Sequence, residues 1–335
     1  MRVGLTYDLR DEYLAAGYSE VETAEFDQPE TIEAIAGALQ RQGMAVDRIG
    51  NARQLTSRLA AGDRWDLVFN FCEGLYGFGR EALVPALLDA WQIPYVFSDP
   101  LACAVTLHKG IAKHVVRGNG LATPDFVVIE APGDIAKIGL RYPLFAKPVA
   151  EGTGKGVSAA SRVESPESLG LICRALLDQY CQPVLVEEFL AGREFTVGVI
   201  GTGAAAEAIG TMEVQLGPKA DPGIYTFDNK EHWEGRVAYA LLTEVPLLQQ
   251  VENLAVGAWR ALGCRDGGRL DIRLDTDGIP NFIEANPLAG LHPGHSDLPF
   301  ICKFKDITYD ELIHRIVASA LRRGMQDPSV RSEGS

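Results

Sequence analysis

The sequence predicts a mixed α/β and α+β protein, with a parallel-sheet unit at its amino-terminal end and units built from antiparallel pairs after it. Two observations carry this reading. Strand-like and helix-like segments alternate through about residue 100, which implies a parallel sheet with helices on its faces. Far downstream, Arg269–Asp275 and Ile279–Asn286 are two alternating runs joined at Asp277-Gly278, and Asp-Gly between such runs is a strong hairpin signal. At 335 residues and 47% hydrophobic content the chain is long enough for two or three packed units.

Taken in order, Val3–Tyr7 is a short buried strand, and the acidic, weakly patterned 8–28 stretch is a loop with at most one helical turn. Ile32, Ile35, Ala36 and Leu39 recur at helical spacing in Pro29–Gln42, and Gly43 can end that helix. Strands follow at Met44–Ile49, Asp66–Phe71 and Ile93–Phe97, with helices at Leu55–Ala61 and Glu81–Trp91. The glycine-rich Cys72–Glu81 follows the third strand. Loops at the carboxyl ends of parallel strands are the usual binding sites; a plain connection is the alternative.

Thr106–Asn119 is a helix with Lys109 and Lys113 on one face. Like charges there are solvated unless an anion sits over them, and Lys113 is expected at the surface. Phe126–Ile129 and Tyr142–Val149 are strands, with a partly helical connection between them. Ser165 caps a helix to Tyr180, with Pro166 at its first position. Pro183–Leu190 and Arg193–Ile200 are strands on either side of a boundary, and Gly210–Gly217 is a further strand. Pro218–Val237 is a long polar loop, which suits a lid or a tolerated insertion. A helix from Pro246 to Leu262 leads into the hairpin. Tyr309–Arg323 is a terminal helix, and the chain frays beyond it. The expected units are 1–102, 103–190 and 191–330.

The net charge of −14 argues against a nucleic-acid partner. No run reaches transmembrane length, and the start reads as a strand and a charged turn, not a signal peptide. The six cysteines form no CxxC pair and suit buried thiols in a reducing compartment, so the cytoplasm is the expected location.

Two stretches carry chemistry. With Asp277-Gly278 as a two-residue turn, Asp271 lies opposite Glu284 and Arg269 opposite Asn286. Strand side chains alternate, so Arg269, Asp271, Arg273 and Asp275 share one face with Glu284 and Asn286. Leu270, Ile272, Leu274 and Ile283 point to the other. Opposed carboxylates repel. Neighbouring arginines can offset this, and so can a divalent cation, since oxygen donors from Asp, Glu and Asn suit magnesium. A solvated face laced with ion pairs is the alternative. The second stretch is Glu151–Ser158 (EGTGKGVS), directly after the strand that holds Lys147. Its glycines and small hydroxyl residues can wrap backbone amides around phosphate oxygens, although the Walker pattern is absent. Lys155 within it is expected to face solvent.

Four segments, in order, resemble one family. HKGIAKHVVRGNGLATPDF, YPLFAKPVAEGTGKGVS, VLVEEFLAGREFTV and GRLDIRLDTDGIPNFIEANPLAG look like segments of the D-alanine–D-alanine ligase family of ATP-grasp enzymes, and the ordered similarity covers nearly the whole chain. The resemblance implies an ATP-grasp fold of three domains around a cleft. It implies ATP with magnesium, two ions, manganese being the alternative metal. It implies an amino-acid ligase in which ATP phosphorylates a carboxylate and an amine then displaces the phosphate. Partners would be small amino acids or a small carboxylate and amine, with no nucleic acid and no membrane, and a homodimer as the assembly.

The same resemblance implies residue roles. Lys109 and Lys147 would contact phosphate. Glu151, Gly152, Thr153, Gly154 and Gly156 would form a flap over it, with Thr153 retained from a hydroxyl pair. Glu187 would lie on the adenine side, with Glu188, Phe189 and Leu190 as the hinge and Glu194 at the ribose. Asp271, Glu284 and Asn286 would hold magnesium. Arg269 would steady the acyl-phosphate oxyanion, and Lys230 in the long loop would reach the phosphates. Tyr225 and Trp233 would close or anchor that loop.

The departures fall on the amino-acid side. YDLRDEYLAAGYSE stands where a glutamate normally holds the first substrate's amine, leaving Glu12 or Asp11 as stand-ins. CEGLYGFGRE replaces HGxxGEDG, so Glu73 and Glu81 fall at the first substrate's site. Phe71, Tyr76 and Phe78 suggest an apolar pocket there. PLAGLHPGHS replaces TxPGMTxxS, with Gly290 and Ser296 left to meet substrate and His292 and His295 beside them. Two other readings stand beside the ligase: a kinase on this scaffold that stops at phosphoryl transfer, and a non-catalytic nucleotide-binding protein.

Overall fold

A computed structural model describes residues 1–217 and 237–326; Lys230, Tyr225 and Trp233 lie outside the described residues. Strands β1 (Arg2–Tyr7), β2 (Ala45–Gly50), β3 (Leu67–Phe71) and β4 (Tyr95–Val96) form a parallel sheet in the order β2-β1-β3-β4. The LVFNF sequence of β3 is buried throughout, because helices cover both faces of a parallel sheet. The Ala52–Ala60 and Leu83–Ala90 helices pack on one side through Leu55, Leu59, Val84 and Leu88. On the other side, Ile35 and Leu39 of the Pro29–Arg41 helix join Leu312, Ile313 and Ile316 of the terminal Tyr309–Gln326 helix. The terminal helix therefore returns to the first sheet, and it runs past the expected stop at Arg323.

The second sheet is antiparallel, in the order β5 (Phe126–Ile129), β8 (Val184–Glu188), β6 (Leu144–Pro148) and β7 (Arg162–Val163). The third is a five-stranded antiparallel sheet, β11 (Val237–Leu241), β10 (Glu207–Leu216), β9 (Glu194–Ile200), β12 (Gly267–Leu274) and β13 (Pro280–Asn286). Its core packs against the Val245–Ala261 helix and against Ala112 and Val116 of the Lys109–Gly118 helix. The expected single helix at 106–119 is two, Pro100–Leu107 and Lys109–Gly118, because His108 leaves helical geometry and caps the second by accepting from the Ile111 amide at 3.2 Å. The short β7, β11 and the Asp297–Phe304 helix were not legible in the hydrophobic pattern.

Asp266, fully buried at the start of β12, ties the first sheet to the third. Its carboxylate accepts from the Phe97 amide at 2.9 Å, Ser319 Oγ at 2.9 Å and an Arg323 guanidinium nitrogen at 2.8 Å.

The hairpin differs from expectation at its tip. The Asp275 amide donates to Ile279 O at 3.0 Å, so Thr276-Asp277-Gly278 is a three-residue loop with Gly278 at φ 78°. Pairing is thereby offset by one, with Leu274 opposite Pro280, Arg273 opposite Asn281 and Ile272 opposite Phe282. A bulge at Ile283 inserts one residue and cancels the offset, which puts Asp271 opposite Glu284 and Arg269 opposite Asn286. The same bulge corrects the expected place of Ile283, which lines the cleft wall beside Glu284, while Phe282 is fully buried in the core.

Candidate active site

The cleft between the second and third sheets holds the first of two adjoining pockets. Phe145 and Lys147 of β6, Glu187 and Glu188 of β8, Phe189, Leu190 and Gly154 form one side. Glu194 of β9, Asp271 and Arg273 of β12, and Ile283 and Glu284 of β13 form the other, with Lys109 between them. Lys147 is next to the glycine-rich loop because β6 ends at Pro148 and the chain turns back at once.

Lys147 Nζ meets Glu187 Oε1 at 2.9 Å, and Lys113 Nζ meets Glu187 Oε2 at 2.7 Å. Lys113 is thus not a surface residue. Its helix face packs against β13, where the ammonium donates to Thr123 Oγ1 at 3.0 Å and Phe282 O at 3.2 Å. Burial pulls the Lys113 pKa down to about 8, although Glu187 opposes this. For Lys147 burial also acts downward, but Glu187 and then Glu284 outweigh it and the pKa is raised. Burial would raise Glu187, yet Lys113 and Lys147 hold it below the usual carboxylate range.

Lys109 Nζ donates to Glu151 O at 2.6 Å and lies 3.4 Å from Glu284 Oε2. Glu194 pairs with Arg273 at 3.2 Å. Asp271 pairs with Arg269 and accepts from Thr196 Oγ1 at 2.9 Å. Arg269 also lies 3.4 Å from Asp297.

Among the described residues no group of three or more His, Cys, Asp or Glu side chains forms a metal cage. The expected donor set is two carboxylates opposed across the hairpin, Asp271 and Glu284, plus the side-chain oxygen of Asn286. Oxygen donors without sulfur or imidazole fit magnesium.

The second pocket shares Lys109, Glu151 and Glu284 with the first and adds Glu25, Glu73, Glu81, Gly152, Thr153, Arg269, Asn286 and Gly290. A third hollow continues past Arg269 and Gly290 to His292, His295 and Ser296. Ser296 Oγ accepts from the His292 amide at 2.9 Å, and the two histidine rings lie 3.9 Å apart.

Several expectations on this side are corrected. Glu12 is exposed on the short Arg10–Ala15 helix, outside the lining of these pockets. The nearby acid is Glu25, from the weakly patterned loop. The aromatic pocket does not form. Phe71 packs into the core beneath the sheet, whereas Tyr76 is 67% exposed and Phe78 is 43% exposed. Lys155 does not face solvent: its Nζ sits 2.6 Å from Glu25 and 2.7 Å from Glu151.

Glu25 also accepts from the Gly152 amide at 3.1 Å and pairs with Arg80 at 2.9 Å, and Arg80 donates to Ala150 O at 2.9 Å. These contacts tie the flap to the first unit. A Cβ at Gly152 would come within 2.9 Å of the Glu25 carboxyl carbon, so a side chain there would displace the Glu25 carboxylate. Burial would raise the Glu25 pKa, but Arg80 and Lys155 bring it down to about 2.

The family described as D-ala D-ala ligase C-terminus matches residues 115–318. A D-alanine–D-alanine ligase of Bordetella petrii is 35% identical over 272 residues, 80% of this chain and 79% of that protein. One from Aquifex aeolicus is 31% identical over 288 residues, 86% of this chain and 93% of that protein. Among solved structures, a D-alanine–D-alanine ligase from Bacillus anthracis complexed with ATP superposes with a TM-score of 0.73 at 20% identity, over 97% of this chain and 99% of the other. The VanG D-Ala:D-Ser ligase from Enterococcus faecalis superposes with a TM-score of 0.73 at 18% identity, over 95% and 99%. At these identities the structural likeness concerns the fold.

Proposed function

We propose a function from one premise: the chain belongs to the D-alanine–D-alanine ligase family. It is an ATP-dependent carbon–nitrogen ligase that joins small amino acids. The observation that carries the assignment of sites is the wall shared by the two pockets, built from Lys109, Glu151 and Glu284. Nucleotide binds in the first pocket, its base beside Phe145 and Phe189, and its terminal phosphate reaches that wall. The acyl donor binds in the second pocket, beyond the wall.

The reaction runs in two displacements. A carboxylate oxygen of the donor attacks the terminal phosphorus, the bond to the bridging oxygen breaks and ADP leaves. The acceptor's neutral amine then attacks the acyl carbon, inorganic phosphate leaves with its oxygen, and the nitrogen loses a proton. Lys109 and Lys147 offset charge on the moving phosphoryl group, where fixed charges act most strongly. Glu187 positions Lys147. Arg269 steadies the oxyanion of the acyl centre, and the Glu151–Ser158 amides cover the phosphates. Asp271, Glu284 and Asn286 would hold magnesium, which neutralises phosphate charge when bound. Gly290 and Ser296 line the acceptor side. A cytoplasmic homodimer and the three-unit division at 102 and 190 belong to the same proposal.

The test is phosphate release from Mg-ATP across single and paired D- and L-amino acids, with mass spectrometry of each active mixture. Release that requires a carboxylate and an amine, with a condensed product, is the expected result. An acyl phosphate or its hydroxamate without condensation would replace the ligase by a kinase.

A further inference from the structure

Two carboxylates of the second pocket make no ion pair among the described residues. Glu73 follows β3, and Glu81 lies in the single turn Arg80–Ala82. Both line the pocket together with Arg269, Asn286 and Gly290. Neither makes a hydrogen bond or ion pair among the described residues. The nearest cations act on them only at a distance, because Arg80 is committed to Glu25 and to Ala150 O, and Lys109 to Glu151 O and Glu284. The other acids of this pocket are matched: Glu25 by Arg80 and Lys155, Glu151 by Lys155 and Glu284 by Lys109.

Glu81 is only 9% exposed. A carboxylate that buried and unpaired is costly. Burial first, then neighbouring Glu25, pushes Glu81 up to about 7 against the pull of Arg80 and Lys109, and burial with Glu81 pushes Glu73 well above the usual range against the pull of Arg80. Thr153 Oγ1 and Asn286 Nδ2, on the same wall, are also buried without a partner among the described residues. A polar ligand is needed to complete this set.

Charge decides its class. A neutral amino acid brings one ammonium and one carboxylate. The carboxylate belongs at the phosphate end, beside Arg269, which leaves one ammonium for two acids. A donor with a second ammonium matches both. We propose that the acyl donor is a diamino acid whose two ammonium groups are read by Glu73 and Glu81. The proposal rests on the ligase reading above and deepens it.

The test uses the full chain with Mg-ATP and a fixed acceptor. Diaminopropionate, ornithine and lysine, as both enantiomers, are compared as donors with alanine and serine, reading kcat/KM and product mass. A diamino donor should exceed alanine by tenfold to about a hundredfold, the range of one charged hydrogen bond. Glu81→Gln and Glu73→Gln should each bring that ratio toward unity through donor KM, while ATP KM stays unchanged and the melting temperature does not fall. Alanine equal to or better than every diamino donor overturns the proposal and leaves the ligase standing. So does a preference that survives both substitutions. If either variant fails to fold, the wild-type donor ratio and the other variant still decide. No condensed product from any pair removes the ligase reading and this proposal with it.

Discussion

The two pockets share a flap and one hairpin, yet they handle charge differently. Around the first, Lys147 and Lys113 divide Glu187 between them, Arg273 meets Glu194 and Lys109 meets Glu284. Around the second, Glu73 and Glu81 stay unmatched while their neighbour Glu25 holds two cations. A site for a polyanion can be kept folded as a set of ion pairs that are exchanged for phosphate contacts. A site for a cation shows its purpose in the acids left without such pairs. Breaking one buried partner is costly because it strands the other, and that sets the order of effects.

The largest is expected from Lys147→Ala, which removes the charge proposed to face phosphate and leaves Glu187 with Lys113 alone. Phosphate release should fall by on the order of a hundredfold or more; a near-normal rate would break the contrast. Glu25→Gln comes next. The folded pKa of Glu25 lies below its ordinary value, so its stabilisation is present above about pH 4.5 and lost as pH falls toward about 2. Denaturation of the variant at neutral pH should show a loss of roughly 2–3 kcal/mol, and the acid limb of its stability curve should flatten. An unchanged acid limb would mean that Arg80 and Lys155 are indifferent to this carboxylate. The smallest effect belongs to Gly278→Ala at the hairpin tip. A side chain at φ 78° costs about 1–2 kcal/mol, read by denaturant titration. Phosphate release should not change, since the Ile283 bulge lies between the tip and Glu284. A large loss of turnover would show that the tip sets the register after all.

What the sequence discloses follows from separation along the chain. Lys147 and its flap are adjacent residues, so a strand followed by glycines reveals them. The opposed carboxylates were legible because a hairpin carries its own ruler, although the expected turn was one residue short and the bulge one residue long, and the two cancel. Glu25 was invisible: its partners Arg80 and Gly152 lie 55 and 127 residues away, in a loop with no periodicity. For Lys113 the helical spacing was right and the environment was not, since strand contacts cover the face that looked solvated. Tyr76 and Phe78 misled because composition says what a loop contains, not which way it points.

The clasp at Asp266 has a consequence for the order in which the molecule is made. Domains generally fold as they leave the ribosome, amino-terminal first. Here Val3, Leu5 and Phe69 share a core with Leu312, Ile313 and Ile316, and Phe97 is anchored to an acid bonded to Ser319 and Arg323. The first sheet emerges early with the Pro29–Arg41 helix on that face, but the face is completed only once the Tyr309–Gln326 helix has been translated. Its maturation is timed by the last helix, and a ribosome stalled before codon 309 would present an unfinished fold to chaperones.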